Sequence, residues 1–419
     1  MRKVFFWLHL LAGLIAGLSI AVMCFTGVVL AFEAELVAWA ERDARRVAVP
    51  ADPAAARLPL AELQKRVREA QPELRSPGIT VSADPGAAVV FSAGREGGYY
   101  ANPYTGEIRQ PASTAMHDFM HVMEDWHRVL GLGGDSRPIG KAINGACNLA
   151  FLFLAVSGLY LWWPRSWSWR GLKSIAVFNW RLGGKAREFN WHNSIGLWSA
   201  PVLIVLTLTA VPISYRWGGN LIYRIVGEEP PAQGGPGGPA GPAVEIARPS
   251  PEARPVGYDD VVARLQADHP RWTQITLRSG GGQRGQRAPQ LGAASATPPT
   301  ADVAAAPRGP QALTVTIRES GSWPRTATTT LTLDPFTGEA LRRETFSDLS
   351  VARQIRSWTR FLHTGQALGW GGQFIAGLAC LGGLFLVYTG VALSVRRFFP
   401  RRGRVAASEA AGSDVPAQP

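Results

Sequence analysis

The 419-residue sequence is poor in cysteine and in acidic residues, and each shortage narrows the class of protein. The three cysteines, Cys24, Cys147 and Cys380, all lie within apolar runs. They cannot form disulfide bonds in an external domain and show no metal-ligand spacing, so we interpret them as small packing residues. The sequence also lacks a glycine-rich phosphate loop, a nucleophile elbow and an HExxH pattern. These absences argue against a nucleotide or flavin domain and against the common hydrolase and metalloprotease sites.

Long apolar runs are what the sequence does contain. They cover residues 4–32, 139–163, 195–215 and 374–395. Each has about 20 residues or more, which is enough for a helix to cross a hydrocarbon core of roughly 30 Å. The first run has no small-residue cleavage site after it, so we expect an uncleaved signal anchor and not a signal peptide. The pattern predicts a polytopic α-helical membrane protein with four transmembrane helices.

The excess of basic over acidic residues, 43 against 31, is concentrated at three places that flank the apolar runs. They are Arg2 and Lys3; Arg165, Arg170, Lys173, Arg181, Lys185 and Arg187; and Arg396, Arg397, Arg401, Arg402 and Arg404. By the positive-inside rule these places are cytoplasmic, so both termini are predicted inside and the two long intervening segments outside. Topology accounts for the net charge of +12, and nucleic acid is not an expected partner.

The two long external segments repeat the same order of patterns. In the first, residues 58–71 have helical spacing and residues 78–83, 88–93 and 99–102 have strand character, followed by a turn at 102–107. In the second, residues 258–268 predict the helix and 273–278, 312–318 and 326–333 the strands, followed by the turn 334–339. The two turns share Pro, an aromatic residue, Thr, Gly and Glu. Residues 229–255 and 280–310, rich in Gly and Pro, are predicted to be disordered inserts.

The chain is therefore predicted to contain two parallel copies of a helix–domain–helix unit, related by an axis along the membrane normal. The expected organisation is TM1 at 1–32, a first small α+β domain at 33–115, a His-rich segment with TM2 at 116–163, a basic loop at 164–188, TM3 at 189–217, a second α+β domain at 218–354, a His-containing segment with TM4 at 355–397, and a cytoplasmic tail at 398–419.

Two histidines occupy matching positions at the start of the first and third apolar runs. Residues 6–13, FWLHLLAG, and 189–196, FNWHNSIG, share Phe, His and Gly at the same offsets. His9 and His192 are therefore expected at one depth on two helices, where a neutral imidazole pair suits the axial positions of a haem iron. A lone interfacial histidine is the plainer interpretation of either residue, and the repeated partner favours ligation.

His127 and His363 form a candidate outer pair by the same logic, because each precedes an even-numbered transmembrane helix. His121 is an alternative to His127 as the outer ligand. His117 and His121 lie four residues apart, so on a helix they would share one face and offer a possible metal site. His269 is expected to be a surface or capping residue at a helix end.

The Pro-aromatic-Thr-Gly-Glu turns at 103–107 and 335–339 carry a family resemblance, together with Trp126-His127-Arg128, Leu362-His363-Thr364-Gly365 and Trp7-Leu8-His9. The sequence resembles the PepSY-associated transmembrane family over about residues 1–400, excepting the inserts. The resemblance implies a bacterial inner-membrane protein with two PepSY-like extracytoplasmic domains. It also implies a link to iron uptake, since some members resemble haem-containing ferric-siderophore reductases.

Two functions of different classes remain open. In the first, the protein holds one or two copies of haem b and carries electrons across the membrane to a periplasmic ferric chelate such as a ferric siderophore. Quinol or a separate reductase would be the electron donor. In the second, it is a non-redox regulatory or scaffold protein whose PepSY-like domains bind a peptidase or another partner.

Overall fold

The computed structural model describes most of the chain. The described residues are 1–52, 56–74, 77–92, 98–111, 113–163, 168–231, 246, 248–250, 252–279 and 311–399. The predicted disorder of 280–310 and of most of 229–255 falls outside these residues. The cytoplasmic tail predicted at 398–419 also lies almost entirely outside them.

Helices and one sheet make up the described residues. The helices are α1 Arg2–Leu30, α2 Glu33–Ala40, α3 Arg42–Arg45, α4 Leu60–Ala70, α5 Ala115–Val129, α6 Arg137–Trp162, α7 Trp169–Ala176, α8 Gly184–Ser214, α9 Arg216–Ile225, α10 Tyr258–Asp268, α11 Val351–His363 and α12 Trp370–Phe398. The strands are β1 Gly78–Ser82, β2 Val89–Ser92, β3 Gly98–Ala101, β4 Ile108–Arg109, β5 Trp272–Ser279, β6 Leu313–Glu319, β7 Thr329–Leu333 and β8 Ala340–Glu344.

Four helices are long and apolar enough to cross a membrane, namely α1, α6, α8 and α12, as the sequence predicts. Helix α8 begins at Gly184, eleven residues before the apolar run at 195–215 that marks it in the sequence. The polar residues of that extension continue the helical hydrogen bonds, so hydropathy alone places its start too late. His192 consequently lies two turns inside α8 and not at its first turn.

The chain divides into two compact units, each described here by itself. The first comprises Met1–Phe25, Cys147–Ile204 and Leu378–Pro419, and the second Thr26–Ala146 and Val205–Gly377. In the first unit, small residues let helix backbones approach closely. A Cβ on Gly382 would lie 2.2 Å from Ser199 Oγ, and one on Gly383 would lie 2.6 Å from Cys24 Sγ. Such contacts are typical of helices packed within a membrane.

The second unit contains a single antiparallel sheet of eight strands in the order β4-β3-β2-β1-β5-β6-β7-β8. Each of the two long segments between spans contributes four consecutive strands, and β1 pairs with β5 at the centre. The sequence predicts two separate small domains, whereas the structure joins their strands into one sheet. Pairing of β1 with β5 covers an edge that each four-stranded half would otherwise expose.

Helices α4 and α10 pack against this sheet and share one apolar core. Leu63 and Val67 of α4 and Leu265 of α10 are buried in it with alternating residues of the strands, such as Phe91 and Ile317. The sequence predicts α10 exactly and α4 to within two residues. It misses the edge strands β4 and β8, because two to five residues rich in arginine and glutamate carry no strand pattern.

The matching turns of the two segments have the same geometry and connect β3 to β4 and β7 to β8. The side chains of Asn102 and Asp334 each accept a hydrogen bond from the backbone N–H two residues later, at 2.9 and 2.7 Å. Gly106 and Gly338 follow with φ of 74° and 70°, which only glycine adopts readily. The turn geometry therefore explains the glycine that both copies of the motif share.

Candidate functional site: two histidine pairs

His9 on α1 and His192 on α8 lie in the first unit and are oriented in the same way. His9 Nδ1 is 2.8 Å from the hydroxyl oxygen of Ser157 on α6. His192 Nδ1 is likewise 2.8 Å from the hydroxyl oxygen of Thr389 on α12. We call His9 and His192 the inner pair.

The hydroxyl partners determine which ring nitrogen carries the proton. The Thr389 hydroxyl donates its own proton to the carbonyl of Phe385, at 2.7 Å, so its oxygen accepts from His192 Nδ1–H. Ser157 has the same arrangement with the carbonyl of Leu154, at 3.4 Å. The tautomer protonated on Nδ1 keeps a lone pair on Nε2, and a haem iron, if bound, would be held through that atom.

Ser157 and Thr389 are each followed by a glycine that lies beside the imidazole. A Cβ on Gly158 would lie 3.4 Å from His9 Cε1, and one on Gly390 would lie 3.6 Å from His192 Cε1. The missing side chains keep the space beside both rings open. A flat macrocycle held at Nε2 needs this kind of clearance.

Two buried indole N–H groups lie in the same unit and have no acceptor among the described residues. They belong to Trp191, next to His192, and to Trp162, at the end of α6. An unsatisfied buried donor is costly, so an acceptor from outside the chain would stabilise the fold. The propionate carboxylates of haem b are acceptors of this type, so these two N–H groups are compatible with a haem in this unit.

His127 on α5 and His363 on α11 lie together in the second unit. Their ring centroids are 6.2 Å apart, with 54° between the ring planes. Two imidazoles on opposite sides of one iron, each bonded through nitrogen at about 2 Å, would have centroids about 6 Å apart. The observed spacing thus suits axial ligation by the pair, which we call the outer pair.

Hydrogen bonds at Nδ1 also orient the outer pair. His127 Nδ1 is 2.9 Å from the hydroxyl of Thr26 on α1. His363 Nδ1 donates to the carbonyl of Leu206 at 2.9 Å and lies 3.5 Å from the Thr209 hydroxyl on α8. A carbonyl only accepts, so His363 carries its proton on Nδ1. Burial lowers the pKa of His363, and the Leu206 carbonyl opposes this shift only in part, so the ring is neutral at physiological pH.

The hydroxyl partners are not among the residues predicted from the sequence, although the repeat contains a signal for all four of them. Thr26 and Thr209 each come seventeen residues after the inner histidine of their helix. Ser157 and Thr389 each come immediately before the glycine that both even-numbered spans share. A search for polar residues repeated within the spans would have found all four.

His117 and His121, the predicted alternatives, have other surroundings. His117 Nε2 lies 2.6 Å from Oε1 of Glu41, a carboxylate with 1% of its side chain exposed. His121 is exposed on α5, and it is His127 whose ring faces His363. Within the described ranges, no group of three or more His, Cys, Asp and Glu side chains gathers as a metal site would require.

Glu41 is the centre of a buried polar cluster that ties α2 and α3 to β3 and α5. Its Oε2 accepts from the Tyr100 hydroxyl at 2.7 Å and from Arg45 Nε at 2.8 Å. Burial alone would raise the pKa of Glu41, but the hydrogen bonds from Tyr100, Arg45 and His117 outweigh it and hold this pKa below its usual value. The cluster anchors the N-terminal end of the helix that carries His127.

His269 is the C-cap residue of α10, in agreement with one of its two predicted roles. It is 9% exposed, so it is not a surface residue. Its Nδ1 lies 3.2 Å from Glu319 Oε1 at the end of β6. This contact accounts for the residue without any ligand.

The four spans place the protein in the class of multi-pass α-helical membrane proteins. A search of curated proteins finds no match to the sequence. The family model described as the PepSY-associated TM region matches residues 6–397, which is nearly the whole chain. The chain therefore belongs to the PepSY-associated transmembrane family, as the sequence resemblance indicates.

Proposed function

We propose that this protein is a b-type haem protein of the bacterial inner membrane that carries electrons across the membrane and reduces a periplasmic ferric chelate, such as a ferric siderophore. The observation that carries the proposal is the common orientation of four histidines. Each has Nδ1 within hydrogen-bonding distance of a hydroxyl or carbonyl oxygen, so Nδ1 is engaged in the same way in all four rings. Core histidines with a purely structural role have no reason to adopt this pattern four times.

The inner pair would hold one haem and the outer pair a second. A haem with two histidine ligands has no open iron position, so it supplies one-electron transfer and not oxygen binding. The protein's own contribution is to fix the imidazole tautomers, to keep space beside His9 and His192 with glycines, and to offer indole N–H donors to the propionates. Quinol or a separate reductase is the proposed electron donor.

An absorption spectrum of the detergent-purified protein, oxidised and then reduced with dithionite, tests the proposal. We expect a six-coordinate b-type spectrum and a pyridine haemochrome count near two per chain. His192→Ala and His363→Ala should each reduce the count to near one, because each removes one ligand of one pair. His121→Ala is the matched control on α5 and should leave the count unchanged. Reduced protein should be reoxidised by a ferric chelate and not by its gallium analogue.

The non-redox alternative gives the opposite result. A colourless protein, after expression with adequate haem supply, would favour a regulatory or scaffold role. A count near two that persists in His192→Ala would refute the inner pair, even if the protein binds haem elsewhere.

A further inference from the structure

The helices around the outer pair carry opposite charges in the two halves of the chain. Helices α2 and α9 both begin 24 residues after an inner histidine, with Glu33 in the first half and Arg216 in the second. Eight residues later the contrast recurs, with Glu41 opposed to Arg224. Arg216 and Arg224 are both exposed.

The helices that carry the outer histidines repeat this contrast. Counted back from His127 and His363, Glu124 on α5 corresponds to Arg360 on α11. Arg353 and Arg356 on α11 correspond to His117 and Met120 on α5. At 3.6 residues per turn, these three arginines and His363 fall on one side of α11. A basic stripe thus leads along α11 to the outer pair.

Most of these arginines have no acidic neighbour to neutralise them. Arg353 forms an ion pair with Glu344 at 2.7 Å. Arg356 lies over the ring of Tyr223 on α9, with its guanidinium carbon 5.8 Å from the centroid. Within the part of the chain that the structure describes, no carboxylate lies within 4 Å of Arg356, Arg360 or the two arginines of α9. We call Arg216, Arg224, Arg356 and Arg360 the basic face.

Anionic lipid headgroups do not account for the positive charge of the basic face. The rings of His127 and His363 are in contact, so α5 and α11 approach the membrane on the same side. Anionic headgroups would favour basic residues beside both helices. The first half instead has Glu124 paired with Arg128 and Asp125 paired with Arg137. The positive charge is therefore specific to the second half of the chain.

We propose that the basic face docks an anionic ferric chelate beside the outer pair, which rests on and narrows the proposed function. Arginine guanidinium groups bind catecholate and carboxylate oxygens through paired hydrogen bonds. Their unneutralised charge also raises the local concentration of an anion and speeds its association. The acidic residues of the first half are paired with arginines, so that half offers the ligand no comparable net positive charge. The substrate class is thus a chelate with a net negative charge, of the catecholate or carboxylate type.

Equilibrium binding of a redox-inert probe tests this inference on the full-length protein in nanodiscs of zwitterionic lipid. The probe is the gallium(III) tris-catecholate complex, with a gallium(III) tris-hydroxamate complex of no net charge for comparison. We expect the anionic probe to bind at least about tenfold more tightly than the neutral one, and to weaken as salt rises. Equal affinities would overturn the inference.

Variants locate the binding surface. Arg360→Gln should lower the affinity for the anionic probe by about fivefold or more, because charge-assisted hydrogen bonds are lost. The double variant, Arg356→Gln with Arg360→Gln, should lower it by more than about tenfold. Arg68→Gln is the matched control, because Arg68 is also an exposed arginine in the last turn of a helix, α4. It should change affinity less than about twofold. Undiminished binding in the double variant would refute the basic face as the docking surface.

Haem content measured on the same samples separates this inference from the proposed function. Arginine-dependent probe binding by a colourless protein would support the docking surface and contradict electron transfer. A haem count near two, with probe binding that does not depend on the arginines, would support electron transfer and contradict the docking surface. The same measurements in nanodiscs that contain phosphatidylglycerol test whether the basic face binds lipid headgroups and not a chelate. If the probe binds in neither lipid, and Arg360→Gln instead lowers retention of phosphatidylglycerol, the face binds lipid headgroups and the inference fails.

Discussion

At the scale of single residues, neighbouring hydroxyl groups determine the imidazole tautomers of the paired histidines. An imidazole in a membrane helix can point either nitrogen at a neighbour, and the neighbour decides the tautomer. Thr389 does so for His192, because its own proton is committed to the carbonyl of Phe385. The sequence analysis could identify the histidines from their repeated positions. It could not identify this orientation, which depends on the packing of α8 against α12.

Removal of that hydroxyl should weaken the inner site without removing a ligand. We expect Thr389→Val to lower haem affinity by about tenfold or more, since hydrogen-bonded partners of metal ligands typically contribute that much. Haem retention during dilution, followed by the pyridine haemochrome count, measures the effect. Ser394→Ala on the same helix is the control, because the Ser394 hydroxyl donates to Gly390 of its own helix. Equal retention in the two variants would contradict a role for Thr389.

The buried carboxylate of Glu41 should stabilise the second unit in a pH-dependent way. Glu41→Gln is expected to lower the free energy of unfolding by about 1–3 kcal/mol at pH 7, because it weakens hydrogen bonds to a buried charged group. Glu62→Gln is the matched control: it also has an arginine four residues later, but its side chain is 37% exposed. Its effect on the free energy of unfolding should be much smaller, because solvent screens this exposed ion pair. Thermal unfolding followed by tryptophan fluorescence measures both.

The pH dependence of the Glu41 effect has a definite sign. The pKa of Glu41 in the folded protein is below its ordinary value of 4.5. Its contribution is therefore complete above pH 4.5 and is lost as the pH falls through the lower pKa of the folded state. The difference in stability between wild type and Glu41→Gln should be constant from pH 7 to about 5 and shrink below that. A difference that grows on acidification would contradict this assignment.

At the scale of elements, the pairing of β1 with β5 converts two predicted domains into one sheet. The register aligns Thr80 with Thr276, whose hydroxyls are 3.1 Å apart. Ile275 and Leu277 of β5 point to the opposite face and lie in the core shared by α4 and α10. Alternation of apolar and polar residues predicts each strand. It contains no information about which strand from the other segment will be a neighbour, 196 residues away.

Substitutions on the two faces of β5 should differ sharply in cost. Leu277→Ala is expected to destabilise the second unit by about 2–5 kcal/mol, because Leu277 is 1% exposed and its removal leaves a cavity. Thr276→Ala, one residue away on the other face, should cost less than about 1 kcal/mol. Limited proteolysis of the purified protein over a temperature series compares them. Similar protease resistance in the two variants would argue against a shared core at the β1–β5 junction.

At the scale of the whole molecule, the distribution of basic residues predicts that both termini face the cytoplasm. Two of the three basic clusters adjoin the ends of the spans that contain His9 and His192, and the third lies at the C-terminal end of α12. The long segments follow the opposite ends of the first and third spans. The four spans themselves agree with the structure. Their orientation in the membrane is a prediction of the positive-inside rule.

Cysteine labelling tests this orientation. Exposed Glu73, between α4 and β1, and exposed Lys173, on α7, are suitable positions. In intact spheroplasts, a membrane-impermeant maleimide should label Glu73→Cys, whereas Lys173→Cys should react only after the membrane is opened. Wild type is the control, because its three native cysteines lie within the spans. The reverse labelling pattern would place the outer pair on the cytoplasmic side and contradict a periplasmic substrate.

The sequence by itself determined the spans and the turn motif, and it singled out His9, His192, His127 and His363 as candidate ligands, with His121 as an alternative to His127. The spans and the turn each rest on a local physical requirement: about 20 apolar residues to cross a bilayer and a glycine where φ is positive. The histidines rest on the expectation of a neutral nitrogen ligand at a repeated depth. Only the tertiary structure decided the junction of β1 with β5, the choice of His127 over His121 as the partner of His363, and the hydroxyl that orients each imidazole. These features depend on contacts between residues that are far apart in the chain, and the free energy of such contacts follows from packing geometry, which hydropathy and local spacing do not encode.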